Sequence, residues 1–337
     1  MKKTISIIIV AKNEEKVINR LFNDINKQSY PHELIDIILV DSMSVDNTLK
    51  LMNNFKIKND GFQTVKILKN PKEILAYGWN LAIVEANTDL VVRIDAHASI
   101  PSDFLEKNIR NINNGERVSG GARPNILAPS DNGKWNETLL LAESSLFGSS
   151  IAAYRDSKEK KYVNSLFHGM YERSIFNEIG LLNTKLGRTE DNEIHFRMRE
   201  AGINLLYDPE IISYQYVRSS LKKMIEQKYK NGYWVGLTLA VCPKCFSYYH
   251  FIPMAFVIGI ILSLCLLPFS SLLLKLIVIS YSVMAIINTV ATIRGKKFNL
   301  LNCLLPFIFL LLHLSYGIGT IIGIVNIPSK KRELNSD

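Results

Sequence analysis

The sequence lacks the glycine-rich loops that hold phosphate groups in many nucleotide-binding enzymes. Neither G-x-G-x-x-G nor G-x-x-x-x-G-K-S/T occurs in the 337 residues. These patterns are typical of dinucleotide-binding dehydrogenases and of P-loop enzymes, so both classes are disfavoured. A ligand that carries phosphate would therefore depend on a metal ion as its main contact.

Cysteine is also scarce, with 4 residues in the chain. Cys242 and Cys245 have C-x-x-C spacing, but no second pair exists to complete a zinc site. The βαβ context of a redox motif is missing as well. We interpret them as two thiols at the entrance to the hydrophobic C-terminal region.

The N-terminus lacks the features of a cleavable signal peptide. Its apolar stretch, Thr4 to Val10, is short and has no small-residue cleavage site after it. The globular part is therefore expected to stay in the compartment where it is made. The net charge is +9, yet the globular part has no long basic run. This favours anionic lipid head groups over nucleic acid, the alternative partner.

Long apolar runs are concentrated towards the C-terminal end. Up to about residue 245 the chain mixes charged and apolar residues as soluble domains do, whereas His250 to Val325 carries few charges. Three runs are each long enough to span roughly 30 Å of hydrocarbon, with a buried core helix as the alternative. The runs are Phe251–Leu274, Leu276–Ile293 and Leu304–Val325.

This contrast predicts three regions: a globular domain over 1–218, an interfacial amphipathic segment over 219–247, and a transmembrane region over 248–337. Lysines and aromatic residues alternate in the interfacial segment, as is typical of helices at a bilayer surface. The basic clusters Arg294–Lys297 and Lys330–Arg332 are both expected on the inner side. Three full spans, however, put the second cluster outside. Either one run is re-entrant or the tail departs from the charge rule.

The first hundred residues alternate between strand and helix patterns. This predicts an α/β fold with a mostly parallel sheet flanked by helices. The predicted strands are Thr4–Val10, Ile35–Val40, Thr64–Leu68 and Leu90–Ile94. The predicted helices carry Val17 to Ile25, Leu49 to Phe55 (capped by Ser44 or Asp46) and Glu73 to Ala86, and a further helix begins near Glu190.

Polar residues follow three of these strands where each strand ends. Asn13 and Glu14 follow the first strand, Asp41 ends the second, and Asp95 and His97 follow the fourth. Ligands of parallel sheets bind beyond the carboxyl ends of the strands. We therefore expect these side chains to converge on one site.

Asp95 and His97 are spaced so that, in a turn, both can aim at one divalent cation. Oxygen and nitrogen ligands together suit Mn²⁺ somewhat better than Mg²⁺, which prefers oxygen. Such a cation would bridge a diphosphate and neutralise the charge that develops on it. The alternative is that Asp95 caps the next turn and His97 is merely exposed.

Thr189, Glu190 and Asp191 stand at the predicted start of a helix. Thr189 suits the N-cap, and acidic residues in the first turn are favoured by the helix dipole, which is a complete structural explanation. The functional alternative is that Asp191 is a general base that removes a proton from an acceptor hydroxyl.

Taken in order, four segments resemble the family 2 glycosyltransferases, and most of all those of succinoglycan biosynthesis. The resemblance runs from about residue 4 to 240. It implies a GT-A fold and inverting transfer from a nucleotide-diphosphate sugar. Asp41 would then bind the nucleotide, Asp95 and His97 a divalent cation (Mn²⁺ or Mg²⁺), and Asp191 would be the catalytic base, although the family has a second aspartate at the place of His97. The segments are Ser6–Glu14, Asp41–Asp46, Arg93–His97 and Thr189–Asp191.

Further residues are expected around the same donor and acceptor. Ala11, Asn13 and Glu14 are expected beside the nucleotide sugar with Asp41 and Asp95. Gly169 and Glu190 are expected on the acceptor side, where the missing β-carbon of Gly169 would let a sugar approach the backbone. An ordinary turn glycine is the alternative.

The Q-x-x-R-W pattern of processive family members is only partly present. Gln215 and Arg218 match its first and fourth positions, but Ser219 replaces the tryptophan. This argues against a processive polymerase. Arg218 is expected to face the diphosphate, which a planar guanidinium binds well; an ordinary surface arginine is the alternative.

The leading hypothesis is an enzyme that moves one sugar, glucose or a similar hexose, from a UDP-sugar to a lipid-linked or growing saccharide in cell-surface or exopolysaccharide synthesis. The hydrophobic helices fit because a polyprenyl-linked acceptor lies at the bilayer surface. We expect a multi-pass plasma-membrane protein with a cytoplasmic catalytic domain. The alternatives are a processive synthase and a non-catalytic membrane scaffold that binds nucleotide-sugar.

Overall fold

The computed structural model describes residues 2–128, 131–148, 158–297 and 299–335. The chain divides into two compact units. The first unit comprises Met1–Pro124 and Ala153–Gln215, and the second comprises Asn125–Ala152 and Tyr216–Asp337. The first carries a large sheet, and the second carries the apolar helices.

The main sheet is mostly parallel, as the alternation of patterns predicts. In chain order the strands are β1 (Ile5–Ala11), β2 (Ile35–Asp41), β3 (Thr64–Lys69), β4 (Leu90–Arg93), β5 (Ala98–Ser99), β6 (Val118–Ala122), β7 (Asn125–Ile126), β8 (Lys161–Tyr162), β9 (Met170–Glu172), β10 (Leu206–Ile212) and β11 (Tyr214–Tyr216). The sheet order is β3-β2-β1-β4-β9-β6-β10-β8. Strands β3, β2, β1 and β4 are parallel to one another, and β9 lies antiparallel between β4 and β6.

Helices cover both faces of this sheet. Those of the first unit are α1 (Ile18–Ile25), α2 (Thr48–Lys58), α3 (Leu75–Glu85), α4 (Phe104–Asn113), α6 (Ile175–Ile179) and α7 (Glu190–Glu200). Strand β1 is apolar along most of its length because both of its faces are buried. Ile5, Ile7 and Ile9 belong to one core cluster, whereas Ile8 and Val10 belong to the cluster on the other face, because successive side chains alternate between faces.

The second unit is helical. It contains α5 (Lys134–Ser144), α8 (Leu221–Thr238), α9 (Ile252–Cys265), α10 (Leu272–Ile293), α11 (Leu305–Val325) and α12 (Ile327–Asn335). Within the described residues, three helical stretches are long and apolar enough to cross a membrane: Tyr248–Cys265, Leu272–Ile293 and Leu300–Val325. The first predicted run, Phe251–Leu274, is therefore divided. Its helix ends at Cys265, and Leu272 to Leu274 belong to the next helix, because Pro268 cannot continue a helical hydrogen-bond ladder.

Helices α8 and α11 pack side by side through two G-x-x-x-G pairs. A β-carbon added at Gly232 would collide with the carbonyl oxygen of Tyr316, and one added at Gly319 would collide with that of Tyr229. Gly236 and Gly323 are packed just as closely, each against the backbone of the other helix. Small residues let two helix backbones approach to this distance. The contacts advance together along both helices, so α8 and α11 run parallel.

Candidate active site

Strands β1 and β2 end together at one edge of the sheet. Ala11 pairs in register with Asp41, and the Ala11 carbonyl accepts a hydrogen bond of 2.9 Å from the Ser42 N–H. The Asp41 carboxylate is buried and accepts from the Ser44 N–H at 3.3 Å. Ala11 and Asp41, two of the predicted nucleotide-binding residues, therefore lie side by side. The loop after β2 is held by the hydrogen bond from Ser44 to Asp41.

The loops after these two strands are tied to each other. Asn13 has a left-handed backbone (φ 57°), which asparagine tolerates better than most residues. Its side-chain oxygen accepts from the Val45 N–H at 2.9 Å, and its own N–H donates to the Ser44 hydroxyl at 3.1 Å. The Asp46 carboxylate accepts from the Thr48 N–H at 2.9 Å. The N-cap residue of α2 is Asn47, not Ser44 or Asp46, and its side chain makes no cap hydrogen bond; of the two predicted residues, Asp46 accepts from the first N–H of the helix.

Glu14 and His97 meet at the same edge. Their Oε1 and Nδ1 atoms lie 3.1 Å apart, and each side chain is about one-quarter exposed. Within the described residues no group of three or more histidine, cysteine or acidic side chains could hold a metal by itself. The predicted pair of Asp95 and His97 nevertheless offers oxygen and nitrogen donors that fit Mg²⁺ or Mn²⁺. Such ions usually take one or two protein ligands and complete their shell with phosphate oxygens and water.

Asp95 is held ionised by its neighbours. His168 Nε2 lies 3.3 Å from the Asp95 amide nitrogen, from which it accepts, and 3.7 Å from Oδ2. Arg93 Nε lies 4.0 Å from Oδ1. Burial alone would raise the pKa of Asp95, but His168, Arg93 and His97 hold it well below its usual value. Burial lowers the pKa of His168, and the neighbouring Asp95 opposes this.

Arg93 connects the Asp95 segment to the start of α7. Its Nη2 donates to Glu190 Oε1 at 3.0 Å, with the two side chains 17% and 4% exposed. Its guanidinium carbon lies 4.7 Å from the centre of the Trp79 ring. Burial would lower the pKa of Arg93, but the charges of Glu190, Asp95 and Asp191 raise it. Burial raises the pKa of Glu190, and the charge of Arg93 opposes this.

Asp191 lies in the first turn of α7 and is half-buried. Its Oδ1 accepts from the Asn192 N–H at 2.8 Å. Thr189 precedes the helix in a left-handed conformation (φ 71°). Its hydroxyl donates to the Arg188 carbonyl and makes no cap hydrogen bond to the helix. Thr189 is therefore the N-cap residue, as predicted, but its side chain does not cap the helix, because the left-handed backbone directs the hydroxyl elsewhere.

A cavity lies beside Asp191, between α3, α7 and the sheet. Its lining includes Trp79, Arg93, Tyr171, Asp191 and His195. His195 Nε2 and the Tyr171 hydroxyl are 2.9 Å apart. Burial lowers the pKa of His195 to about 4, so this imidazole is neutral at physiological pH. The buried indole nitrogen of Trp79 has no hydrogen-bond partner among the described residues.

Gly169 belongs to the same neighbourhood. Its carbonyl accepts from the Arg93 N–H at 3.2 Å. A β-carbon at Gly169 would lie 2.7 Å from the Tyr171 hydroxyl oxygen, so the neighbouring ring is itself a reason for glycine here. Gln215 accepts a hydrogen bond from Arg123. Arg218 lies in the second unit and is exposed.

The sequence interpretation gave no role to several residues that shape this site. Arg93 stands inside a quoted motif, yet nothing in its spacing identifies Glu190 as its partner. His168 is the neighbour of Gly169, and its left-handed backbone (φ 50°) is invisible in the residue pattern. Arg123 lies 3.7 Å from the centre of the Phe167 ring, far from any recognised motif.

The chain was compared with known proteins. The family model of glycosyl transferase family 2 matches residues 6–180. The chain is 32% identical over 239 residues, 70% of its length and 74% of the other, to dolichyl N-acetyl-alpha-D-glucosaminyl phosphate 3-beta-D-2,3-diacetamido-2,3-dideoxy-beta-D-glucuronosyltransferase of Methanococcus voltae. It is 23% identical over 230 residues, 67% of each chain, to the succinoglycan biosynthesis protein ExoA of Rhizobium meliloti (strain 1021).

The fold is also found among solved structures. The mannosyltransferase PcManGT from Pyrobaculum calidifontis, in complex with GDP-Man and Mn²⁺, superposes with a TM-score of 0.65 at 14% identity, covering 95% of this chain and 88% of that one. This likeness confirms the predicted GT-A fold. The family model matches more than half of the chain, and the M. voltae relative is similar over most of it. The chain therefore belongs to glycosyl transferase family 2 and is a glycosyltransferase that uses a nucleotide sugar.

Proposed function

We propose that this glycosyltransferase adds a single hexose, glucose or a similar sugar, from a UDP-sugar to a lipid-linked or growing saccharide. The M. voltae relative is named for a dolichyl phosphate-linked acceptor, and ExoA for succinoglycan biosynthesis. The first name supports an acceptor that is carried on a lipid, and the second supports a role in polysaccharide synthesis. A plasma-membrane location with a cytoplasmic catalytic unit fits such an acceptor.

The donor nucleotide is assigned to the edge formed by β1 and β2. Ala11, Asn13 and Asp41 are held by hydrogen bonds between the two loops, so little order remains to be gained when the nucleotide binds. Glu14 reaches this edge through its contact with His97. Arg218 is assigned to the diphosphate because a planar guanidinium binds phosphate groups well.

Asp95 and His97 are the residues that would hold a divalent cation. The low pKa of Asp95 supports this assignment because a ligand carboxylate must be ionised. The Mn²⁺ in the PcManGT complex supports it too. When bound, the cation would stabilise negative charge on the departing diphosphate.

Asp191 is assigned as the general base. Its carboxylate accepts the proton of the acceptor hydroxyl while that oxygen bonds to the anomeric carbon and the bond from that carbon to the diphosphate breaks. Attack from the opposite side inverts the anomeric configuration. Gly169 and Glu190 are assigned to the acceptor side; the buried ion pair of Glu190 with Arg93 favours a role in positioning Asp191 over direct sugar contact.

One observation carries this proposal: the Arg93 guanidinium contacts both Asp95 and Glu190, the neighbour of Asp191. Two motifs nearly one hundred residues apart therefore belong to one charge network. A metal motif and a base motif in a single network are what transfer from a sugar diphosphate needs.

A donor screen with Asp191→Asn tests the proposal. UDP- and GDP-sugars are offered to the membrane-embedded enzyme, with and without Mn²⁺, and transfer and nucleotide release are measured. We expect Asp191→Asn to lower transfer by roughly 10²–10⁴-fold, the usual share of a general base, with donor binding retained. Glu200→Gln, at the other end of α7, is the matched control. Near-normal transfer by Asp191→Asn would refute the assignment of the base.

A further inference from the structure

The third apolar helix, α11, is unlike the other two candidate spans. Within the second unit 39% of its span is buried, against 11% for each of the others. Its neighbours include α5 and α8, which carry charged residues. A helix that crosses a bilayer alone would face lipid on most of its circumference, and α11 does not.

The register of α8 against α11 places charge beside the middle of the helix. The Tyr229 carbonyl lies against Gly319 and the Tyr316 carbonyl lies against Gly232, so the turn 229–232 of α8 lies beside the turn 316–319 of α11. Lys230 lies in this turn of α8 and is exposed, as is Glu226 one turn earlier. If α11 stood upright in the membrane, these two side chains would lie near the middle of the hydrocarbon layer, where exposed charges are rare and costly.

Irregular backbone also reaches the middle of α11. His313, near the centre of the helix, bonds through Nε2 to the Phe147 carbonyl at 2.6 Å and through Nδ1 to the Tyr281 hydroxyl at 2.9 Å. Phe147 lies in a turn after α5, and neighbouring Leu146 is 57% exposed. Within the hydrocarbon of a bilayer, non-helical backbone is tolerated only where protein covers it. A turn at the level of His313 therefore fits a level near the membrane surface better than the bilayer centre.

We infer that α11 does not cross the bilayer. It lies at one membrane surface, packed between α5 and α8, and the second unit crosses the bilayer twice, through α9 and α10. The C-terminal tail then returns to the side on which α8 begins. This arrangement puts both basic clusters, Arg294–Lys297 and Lys330–Arg332, on one side and removes the conflict with the charge rule.

Cysteine accessibility in the full-length protein tests this topology. The four native cysteines are replaced by serine, and single cysteines are introduced as Lys222→Cys at the start of α8, Ser270→Cys between α9 and α10, and Ser329→Cys in the tail. A membrane-impermeant maleimide is added to sealed right-side-out and inverted vesicles. We expect Lys222→Cys and Ser329→Cys to react in one vesicle orientation and Ser270→Cys in the other. Reaction of Ser329→Cys together with Ser270→Cys would overturn the inference.

Depth is tested separately with Lys230→Cys. We expect this thiol to react in intact vesicles to at least half the extent reached after denaturation in detergent, because it lies at the water-facing surface of α8. Ile279→Cys, exposed on α10, is the matched control and is expected to react only after denaturation. Protection of Lys230→Cys equal to that of Ile279→Cys would show that α8 and α11 are embedded. Neither experiment uses a substrate, so the outcome is independent of the proposed function.

Discussion

The two units of this protein position their polar groups by different means. In the first, charge is placed against charge: Arg93 lies between Asp95 and Glu190, and His168 supports Asp95. In the second, uncharged backbones approach each other closely where the glycines of α8 and α11 meet. The hydrophobic effect drives the apolar strands of the first unit together. The two helices of the second unit meet through shape, because glycines without side chains let their backbones approach closely. Substitutions in the two units should therefore fail in different ways.

The largest effect is expected for Arg93→Met. It leaves Glu190 buried without its counter-charge, and removal of one partner of a buried pair typically costs about 3–5 kcal/mol of unfolding free energy. Transfer should fall as well, because Asp191 loses its orientation. Thermal unfolding and initial rates measure the two effects.

The double variant Arg93→Met/Glu190→Leu sharpens this prediction. We expect it to recover much of the stability, since no unpaired charge remains, but not the transfer rate. Arg93→Lys keeps the charge without the planar fork and should be intermediate. Recovery of full activity in the double variant would show that the ion pair has no part in positioning.

The next largest effect is expected for Gly236→Ala and Gly323→Ala. Each added methyl group meets backbone of the facing helix, and overpacking typically costs about 1–3 kcal/mol. Unfolding in detergent should shift, while nucleotide binding stays unchanged. In Gly259→Ala the new carbon would meet only the end of the Ile277 side chain at 3.4 Å, so this variant is the control. Equal stability of all three would contradict close helix packing.

His195 predicts a pH dependence of stability. Burial lowers its pKa to about 4, whereas an unfolded chain has a histidine pKa near 6.5. The unfolded state therefore binds more protons below pH 6.5, and the stability from neutral His195 is present above that pH and lost as the pH falls towards 4. Between pH 7.5 and 5.5 the loss is about 1 kcal/mol.

His195→Gln should remove this part of the pH dependence, as measured by chemical denaturation at both pH values. Glutamine keeps polar groups near Tyr171 and Ser165, the two hydrogen-bond partners of His195. Between pH 7.5 and 8.5 the two proteins should show the same slope. An unchanged loss below pH 6.5 in the variant would mean that another group is responsible.

The smallest effect is expected for His97→Asp, which tests the cation. Two carboxylates favour Mg²⁺ more than the mixed oxygen and nitrogen set does, so the ratio of Mg²⁺- to Mn²⁺-supported transfer should rise on the order of threefold to tenfold. Direct binding of Mn²⁺ is followed in parallel by its magnetic resonance signal. Asp95→Asn is the reference variant, in which transfer supported by Mg²⁺ and transfer supported by Mn²⁺ should both be lost. An unchanged metal preference would remove His97 from the ligand set.

Much of the first unit could be predicted from local patterns. The four leading strands lie within one or two residues of their predicted bounds, because short runs rich in β-branched and apolar residues, bounded by polar ones, mark buried strands. The family could be recognised from four short segments in their order along the chain, Ser6–Glu14, Asp41–Asp46, Arg93–His97 and Thr189–Asp191. Pro268 and Lys275 are recognisable as breaks between the first two apolar runs. The first run is nevertheless predicted to continue to Leu274, whereas its helix ends at Cys265 and the next begins at Leu272. Composition alone does not show where one apolar helix ends and the next begins.

The sequence by itself determined the elements, the family and the residue types available at the strand ends, since these depend on periodicity and on short motifs. Only the tertiary structure decided that Arg93 contacts Glu190, that His168 contacts Asp95, and that α8 lies against α11. Each of these contacts joins residues about seventy or more positions apart, and their geometry depends on how the whole chain packs. Local sequence carries no record of such distances.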